Sequence, residues 1–295
     1  MKRFDYDVAF GRNRGLVSAA EQERLRQARV LLIGVGGVGG VHATTLARLG
    51  VGHFRLVDPD TFSLANFNRQ AGATMQTLGF AKASTMAAQV LSINPDAEVE
   101  AFDVALNQDN VVTMLEGVDL VVDGIDFFSL AARTIAYEAA YTRGIPVVSS
   151  GPIGMSATMH IFAPGGMSFS RYYDLTPNLT RVQQLAAFLV GVTPRMSQRG
   201  YVDMGYVSLS GEHGPSLGAS CMLCAGVVGV ESLRLLLGRP GVCLAPHYYQ
   251  FDAYYQQMYR GYLRWGNRHP LQRIKRWRVE RMLVLQKLEQ RSEQG

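Results

Sequence analysis

The sequence is poor in lysine, cysteine and tryptophan, and each scarcity narrows what the chain can be. Its 295 residues include three cysteines, two tryptophans and four lysines, at positions 2, 82, 275 and 287. Cys221, Cys224 and Cys243 make no disulfide framework, so a reducing, cytoplasmic setting is expected. The opening stretch MKRFDYDVAF holds no apolar run of the signal-peptide kind. The longest largely apolar run, residues 217–230, is about 14 residues against the roughly 20 a membrane helix needs. It reads as a buried core helix, and no membrane association is expected.

Hydrophobic residues make up 47% of the chain and charged residues 18%, a globular balance rather than a disordered one. The net charge of +5 is unevenly placed. Residues 260–295 carry ten basic and three acidic side chains, a net of +7, which leaves about −2 for the rest. The basicity belongs to one tail, so a nucleic-acid partner is not expected for the body.

Strand and helix signals alternate from residue 18 onward. Ser18 and Glu21 form a capping box ahead of a short helix. VLLIG is a continuous apolar run, suited to a strand buried on both faces, and HFRLVD is a second strand. Helices are expected near 80–92, 108–116 and 129–143, with strands near 98–103, at DLVVDG and at IPVVSS. This alternation implies an α/β, Rossmann-like, doubly wound and mainly parallel sheet. Regularity dissolves over residues 164–214, a crossover insertion with a helix near 180–190. A long apolar helix follows at 216–237, and then two antiparallel edge strands in HYYQFDAYYQQMYRGYLRW. The domain reading is 1–262 for the α/β unit and 263–295 for a basic amphipathic helix, packed by Ile274, Trp277, Val284, Leu285 and Leu288.

Gly34, Gly36 and Gly39 form G-x-G-x-x-G between a predicted strand and a predicted helix, with Gly37 inside the turn. Such a turn lets backbone amides at a helix N-terminus approach phosphate. Asp58, at the end of the second strand, is placed for a ribose hydroxyl. These features do not choose between NAD and ATP. The stretch LANFNRQAGATMQTLGFAK does. A dinucleotide oxidoreductase has its diphosphate held by backbone amides, whereas cleavage between α and β phosphates requires cations for the departing charge. Arg69 offers a forked donor, Lys82 a compact charge and Asn66 a neutral donor. In VVDGIDFFS, Asp126 lies outside the strand as a magnesium ligand, while Asp123 is expected to satisfy local amides.

The motifs GVGGVG, LVDPDTFSLANFNRQ, GFAK and DGID, in that order, resemble the ubiquitin-activating-type adenylyltransferases of the ThiF/MoeB/HesA superfamily. The resemblance covers about residues 10–162, with a weaker echo in 214–252. It implies Asp58 on the ribose, Asn66, Arg69 and Lys82 on the phosphates of ATP, and Asp126 on magnesium. It further implies a homodimer in which an N-terminal arginine, Arg12 or else Arg14, reaches the partner's γ-phosphate. Asp60 and Gln70 fit the family pattern and also fit structural roles.

The chain departs from the family in two ways. Many relatives hold a structural zinc on two C-x-x-C pairs; here Cys221 and Cys224 are the only pair, within an apolar helix, and zinc is not expected. The crossover also lacks the cysteine that forms a thioester in ubiquitin-activating enzymes. The implied function is therefore ATP- and Mg-dependent adenylylation of a carboxylate with release of pyrophosphate. The acceptor would be the C-terminus of a ubiquitin-like sulfur carrier or of a ribosomal peptide, lying beneath the crossover, where Arg171 or Arg195 could hold a carboxylate. Alternatives are a tRNA-modifying dehydratase of the same superfamily, an NAD-dependent oxidoreductase, and a nucleotide-binding scaffold or pseudoenzyme. The oxidoreductase reading leaves Asn66, Arg69, Lys82 and Asp126 without a task. His160, in ATMHIF, is expected to be a core histidine rather than a base.

Overall fold

The computed structural model describes residues 3–208 and 212–292, with side chains through Leu285. Its N-terminal segment carries α1 (Tyr6–Ala9) and α2 (Ala19–Gln27), the latter opened by the Ser18–Glu21 capping box. The nucleotide-type half then alternates β1 (Arg29–Ile33), α3 (Gly37–Arg48), β2 (His53–Val57), α4 (Lys82–Ile93), β3 (Glu98–Phe102), α5 (Val111–Met114), β4 (Leu120–Asp123), α6 (Leu130–Thr142) and β5 (Val147–Ser149). It continues through β6 (Ser156–Phe162), α7 (Phe169–Tyr173), α8 (Arg181–Val192), α9 (Gly218–Leu237), β7 (His247–Asp252), β8 (Gln257–Tyr262) and α10 (Pro270–Ser292).

One eight-stranded sheet, in the order β3-β2-β1-β4-β5-β6-β7-β8, runs through the molecule. β1 to β5 pair in parallel, and β6, β7 and β8 continue the sheet antiparallel. The order reverses between β1 and β4, which opens a crevice at the carboxyl ends of these strands.

Alternate residues of the inner strands feed two cores, as a pleated sheet covered on both faces requires. Val30, Leu32, Phe54, Leu56, Val122 and Ile161 meet α3, α4 and α9 on one face. Leu31, Ile33, Val57, Val121 and Phe162 meet α6, α7 and α8 on the other. Burying so much branched aliphatic and aromatic surface, at about 25 cal/mol per Å², is the main force holding the layers together. α9 is long and apolar enough to cross a membrane, but half of its most apolar window is buried inside the fold.

Three expectations change here. Of β7 and β8 only β8 is an edge strand, because β7 is paired on both sides and buries Gln250 and Asp252. The crossover holds α7 as well as the expected helix α8, with α7 inserting Phe169, Tyr172 and Tyr173 into the core. The third change concerns α10, which packs by the face opposite to the expected one. Val279 and Leu283 are buried against Ala186 and Val190 of α8, whereas Ile274, Trp277, Val284 and Leu285 are about half exposed. The side chain of Leu288 lies outside the described residues. Polar groups on the buried face have partners: Gln272 donates to the Val190 carbonyl at 3.1 Å, and Arg276 pairs with Asp174 at 3.3 Å. A periodicity reading scores such groups as solvent-facing and so turned the helix over.

Candidate active site

A cavity of about 1070 Å³ opens at the reversal point of the sheet and runs from the glycine turn to α10. At its inner end the turn between β1 and α3 is built from glycines for a steric reason. Gly34 has φ +80°, and a Cβ there would sit 2.4 Å from the Gly124 carbonyl. A Cβ on Gly39 would sit 1.8 Å from the Gly34 carbonyl. β1, α3 and the loop after β4 thus touch through backbone alone, which leaves the amides at the start of α3 accessible.

Asp58 directly follows β2 and is buried, its carboxylate accepting from Val35 N at 2.8 Å and Asp60 N at 3.0 Å. Burial raises its pKa above the ordinary carboxylate value, opposed by those two amides and by nearby Lys82. The chain beyond it folds back on itself, with Phe62 buried and Thr61 bridged to Ala81. This return places Lys82, the first residue of α4, beside Asp60, with Nζ 2.8 Å from the carboxylate. Asn66 is buried, its oxygen taken by Ser63 N at 3.0 Å, while its amide NH2 makes no hydrogen bond among the described residues. Arg69 gives one nitrogen to the Ala65 carbonyl at 2.9 Å and to Asn68 at 3.0 Å, and the rest of the fork has no partner among the described residues. Asn68 in turn donates to the Ser216 carbonyl at 2.9 Å, tying this loop to the end of the crossover. Gln70 packs against Gly36, and its buried side-chain oxygen has no hydrogen-bond partner among the described residues.

Asp126 is exposed in the loop after β4, one carboxylate oxygen accepting from Phe128 N at 2.9 Å. Asp123 does more than hold a local amide. It accepts from Ile125 N at 2.9 Å, and its second oxygen receives Arg133 Nε at 3.0 Å, Tyr137 OH at 2.6 Å and Ser149 Oγ at 2.9 Å. Arg133, which sequence reasoning missed, also donates to the carbonyls of Ile125 and Asp126. One buried guanidinium therefore sets the path of the Asp126 loop. The only hint in the sequence was an arginine inside the apolar face of a helix.

Gly34, Gly36, Gly37, Asp58, Asn66, Arg69, Lys82 and Asp126 all line this cavity, as do Asp60 and Gln70. Gly39 lies just behind the wall, against Gly34 and Gly124. Arg12 and Arg14 do not line it. Arg12 sits exposed in the 3-10 turn Gly11–Asn13, and Arg14 faces Asp7 at 3.8 Å. His160 is a core residue on β6, its Nε2 3.1 Å from Tyr172 OH, and burial depresses its pKa to about 3.

Cys221 and Cys224 lie buried on α9, and burial pushes their thiols up to about 11 and about 12. Neither is poised as a nucleophile. Cys243 is exposed and apart from them. Among the described residues no group of three or more His, Cys, Asp or Glu is arranged to hold a metal ion.

The ThiF family model matches residues 10–273. The chain belongs to the ThiF family. Among curated ThiF relatives, the tRNA threonylcarbamoyladenosine dehydratase of Haemophilus influenzae is 38% identical over 139 residues, 46% of this chain and 53% of that protein. The probable adenylyltransferase/sulfurtransferase MoeZ of Mycobacterium tuberculosis is 30% identical over 220 residues, 74% of this chain and 50% of that protein. This ThiF chain thus spans about half the length of the curated relatives it matches. In fold it resembles Escherichia coli MccB crystallised with ATP, at 15% identity and a TM-score of 0.61, covering 82% of this chain and 65% of MccB. It also resembles the E. coli tRNA dehydratase TcdA in complex with AMP, at 22% identity and a TM-score of 0.60, covering 79% of this chain and 95% of TcdA.

Proposed function

We propose that this ThiF-family chain is an ATP-dependent adenylyltransferase acting on a carboxylate. The observation that carries the reading is the convergence of Asp58, Asn66, Arg69, Lys82 and Asp126 on one cavity floored by the glycine turn. Asp58 would take the ribose, and the amides of Gly36 and Gly37 the phosphates, as in other helix N-terminal anion sites. The unpartnered Gln70 oxygen and the walls that admit no Cβ fit a nucleotide in this cradle.

In the reaction a carboxylate oxygen of the acceptor attacks the α-phosphorus of ATP. The bond from that phosphorus to the bridging oxygen of the β-phosphate breaks, pyrophosphate departs, and the acceptor carries AMP as an acyl adenylate. The attacking group is already ionised at neutral pH, so the chain needs no general base for this step. Arg69 and Lys82 would stabilise charge on the transferred and departing groups. Asp60 would release Lys82 as phosphate arrives. Asp126 would hold Mg²⁺, which supplies further charge neutralisation when bound. A single carboxylate would suffice for this role, since such ions are usually bound through one or two carboxylates together with substrate phosphates.

The acceptor is read as the C-terminus of a small protein or peptide, entering beneath the crossover. Arg12, or else Arg14, would reach the nucleotide of a partner subunit in a homodimer, since neither reaches its own chain's cavity. A second reading keeps the same nucleotide chemistry with a carboxylated adenosine of tRNA as acceptor, favoured by the 38% identity to the H. influenzae dehydratase. Exchange of radiolabelled pyrophosphate into ATP tests both, with free-C-terminus peptides and with tRNA offered separately. Exchange that requires one acceptor class identifies it. Failure with both, despite ATP binding, would overturn the adenylylation reading.

A further inference from the structure

The far end of the cavity, away from the glycine turn, has a composition that nucleotide binding does not explain. Its walls include Phe188 and Leu189 of α8, Met196 of the crossover and Met282 of α10. Three cations stand at the same end: Arg199 from the crossover, and Lys275 and Arg278 from α10. Among the described residues none of the three meets a carboxylate. That sets them apart from their neighbours. Arg276 on the same helix is neutralised by Asp174 at 3.3 Å and by Glu280 at 2.8 Å. Arg181, above the cavity, is neutralised by Glu212.

Among the described residues Lys275 donates only to the Pro194 carbonyl, at 2.5 Å. Burial, together with the positive fields of Arg195 and Arg199, lowers its pKa below the ordinary lysine value. Like charges gathered without a counter-ion at a partly apolar wall raise the free energy of the empty site. A carboxylate arriving there would relieve that repulsion while gaining charge-assisted hydrogen bonds.

We propose that Arg199, Lys275 and Arg278 form an acceptor subsite that reads acidic side chains on a peptide whose C-terminus lies at the nucleotide. The inference rests on the adenylylation reading and adds the chemical class of its acceptor. The Phe188, Leu189, Met196 and Met282 wall favours a peptide over a nucleic acid, because it would desolvate a phosphodiester while offering it no donors. An apolar side chain of the peptide would pack there, with its acidic residues further from the C-terminus, against α10. The C-terminal helix then belongs to substrate selection. Its cations select, and its buried Val279 and Leu283 hold them in place on α8.

The test uses the full chain and two fluorescein-labelled synthetic peptides with free C-termini. One carries a run of glutamates ahead of a leucine-containing tail, and the other has glutamine in place of each glutamate. Fluorescence anisotropy measures their affinity in saturating ATP and magnesium, and equilibrium dialysis measures ATP binding on the same protein. The glutamate peptide should bind about tenfold tighter, and the difference should shrink as salt rises. It should vanish in Lys275→Glu, and also in Arg278→Glu, whose exposed position guards against a folding defect. Equal binding of the two peptides by wild-type protein that binds ATP would overturn this inference and leave adenylylation standing. Absence of ATP binding would instead sink the adenylylation reading beneath it. Displacement of the glutamate peptide by an RNA oligonucleotide at lower concentration than by unlabelled peptide would also overturn it, in favour of a nucleic-acid acceptor.

Discussion

Arg133 Nε lies 3.0 Å from Asp123 Oδ2, with each side chain only 4% exposed. The pair sits beneath the candidate site, and the same guanidinium grips the two carbonyls that aim the Asp126 loop. Removing one partner of a buried pair strands the other as an uncompensated charge. Arg133→Ala should therefore lower stability by about 3–5 kcal/mol, measured by urea unfolding. Tyr137→Phe, which deletes one donor to Asp123, should cost about 1–2 kcal/mol. If Arg133→Ala unfolds at the wild-type midpoint, the pair is not the brace described.

The glycine turn separates steric need from ligand need. Gly39→Ala would place a methyl 1.8 Å from the Gly34 carbonyl, so backbone must move, and about 3 kcal/mol of stability should be lost. A Cβ on Gly37 would meet only Cys221 Sγ, at 3.7 Å. Gly37→Ala should therefore melt near the wild-type temperature. A loss of ATP affinity in that variant would report close approach of phosphate rather than a damaged fold.

Arg69→Ala and Asp126→Ala test the proposed phosphate end of the cavity. Neither side chain is buried. Each should unfold within about 0.5 kcal/mol of wild type and lose at least about 10²-fold in pyrophosphate exchange. Full exchange in either variant would show that the residue has been given the wrong role.

His42 and His160 predict acid sensitivity away from the site. Both are fully buried, and burial depresses their pKa values from the ordinary 6.5 to about 4 and about 3. The folded state therefore binds fewer protons than the unfolded chain between pH 6.5 and those values. Their contribution is present above pH 6.5 and is lost as pH falls through the window from 6.5 to about 3. Urea midpoints should fall across that range by an amount equivalent to a few kcal/mol. His160→Phe should flatten part of the slope; an unchanged slope in that variant would count against the assignment.

The orientation of α10 is open to a paired substitution. Leu283 is 3% exposed and Leu285 is 58% exposed. Leu283→Ala should cost about 2–4 kcal/mol and Leu285→Ala less than about 0.5, compared by thermal unfolding. The reverse ranking would restore the face expected from periodicity.

Much of this molecule is written locally. Runs such as VLLI and LVV are apolar throughout because they lie in the middle of a covered parallel sheet, so strand order along the chain was legible. The glycine turn, Asp58 and the stretch from Asn66 to Lys82 stood out as local motifs of residue type and spacing, and the structure gathers them on one cavity. Other features depend on contacts between distant segments. Arg133 acquires its role only when β4, β5 and α6 bring Asp123, Ser149 and Tyr137 together. Gln272 and Arg276 are buried on α10 because Val190 and Asp174, far away in sequence, supply partners. Lys275 and Arg278 join Arg199 on one wall only after α10 docks on α8. Hydropathy along the chain records which side chains avoid water. It cannot record where a polar side chain will find a partner, since packing of distant elements decides that.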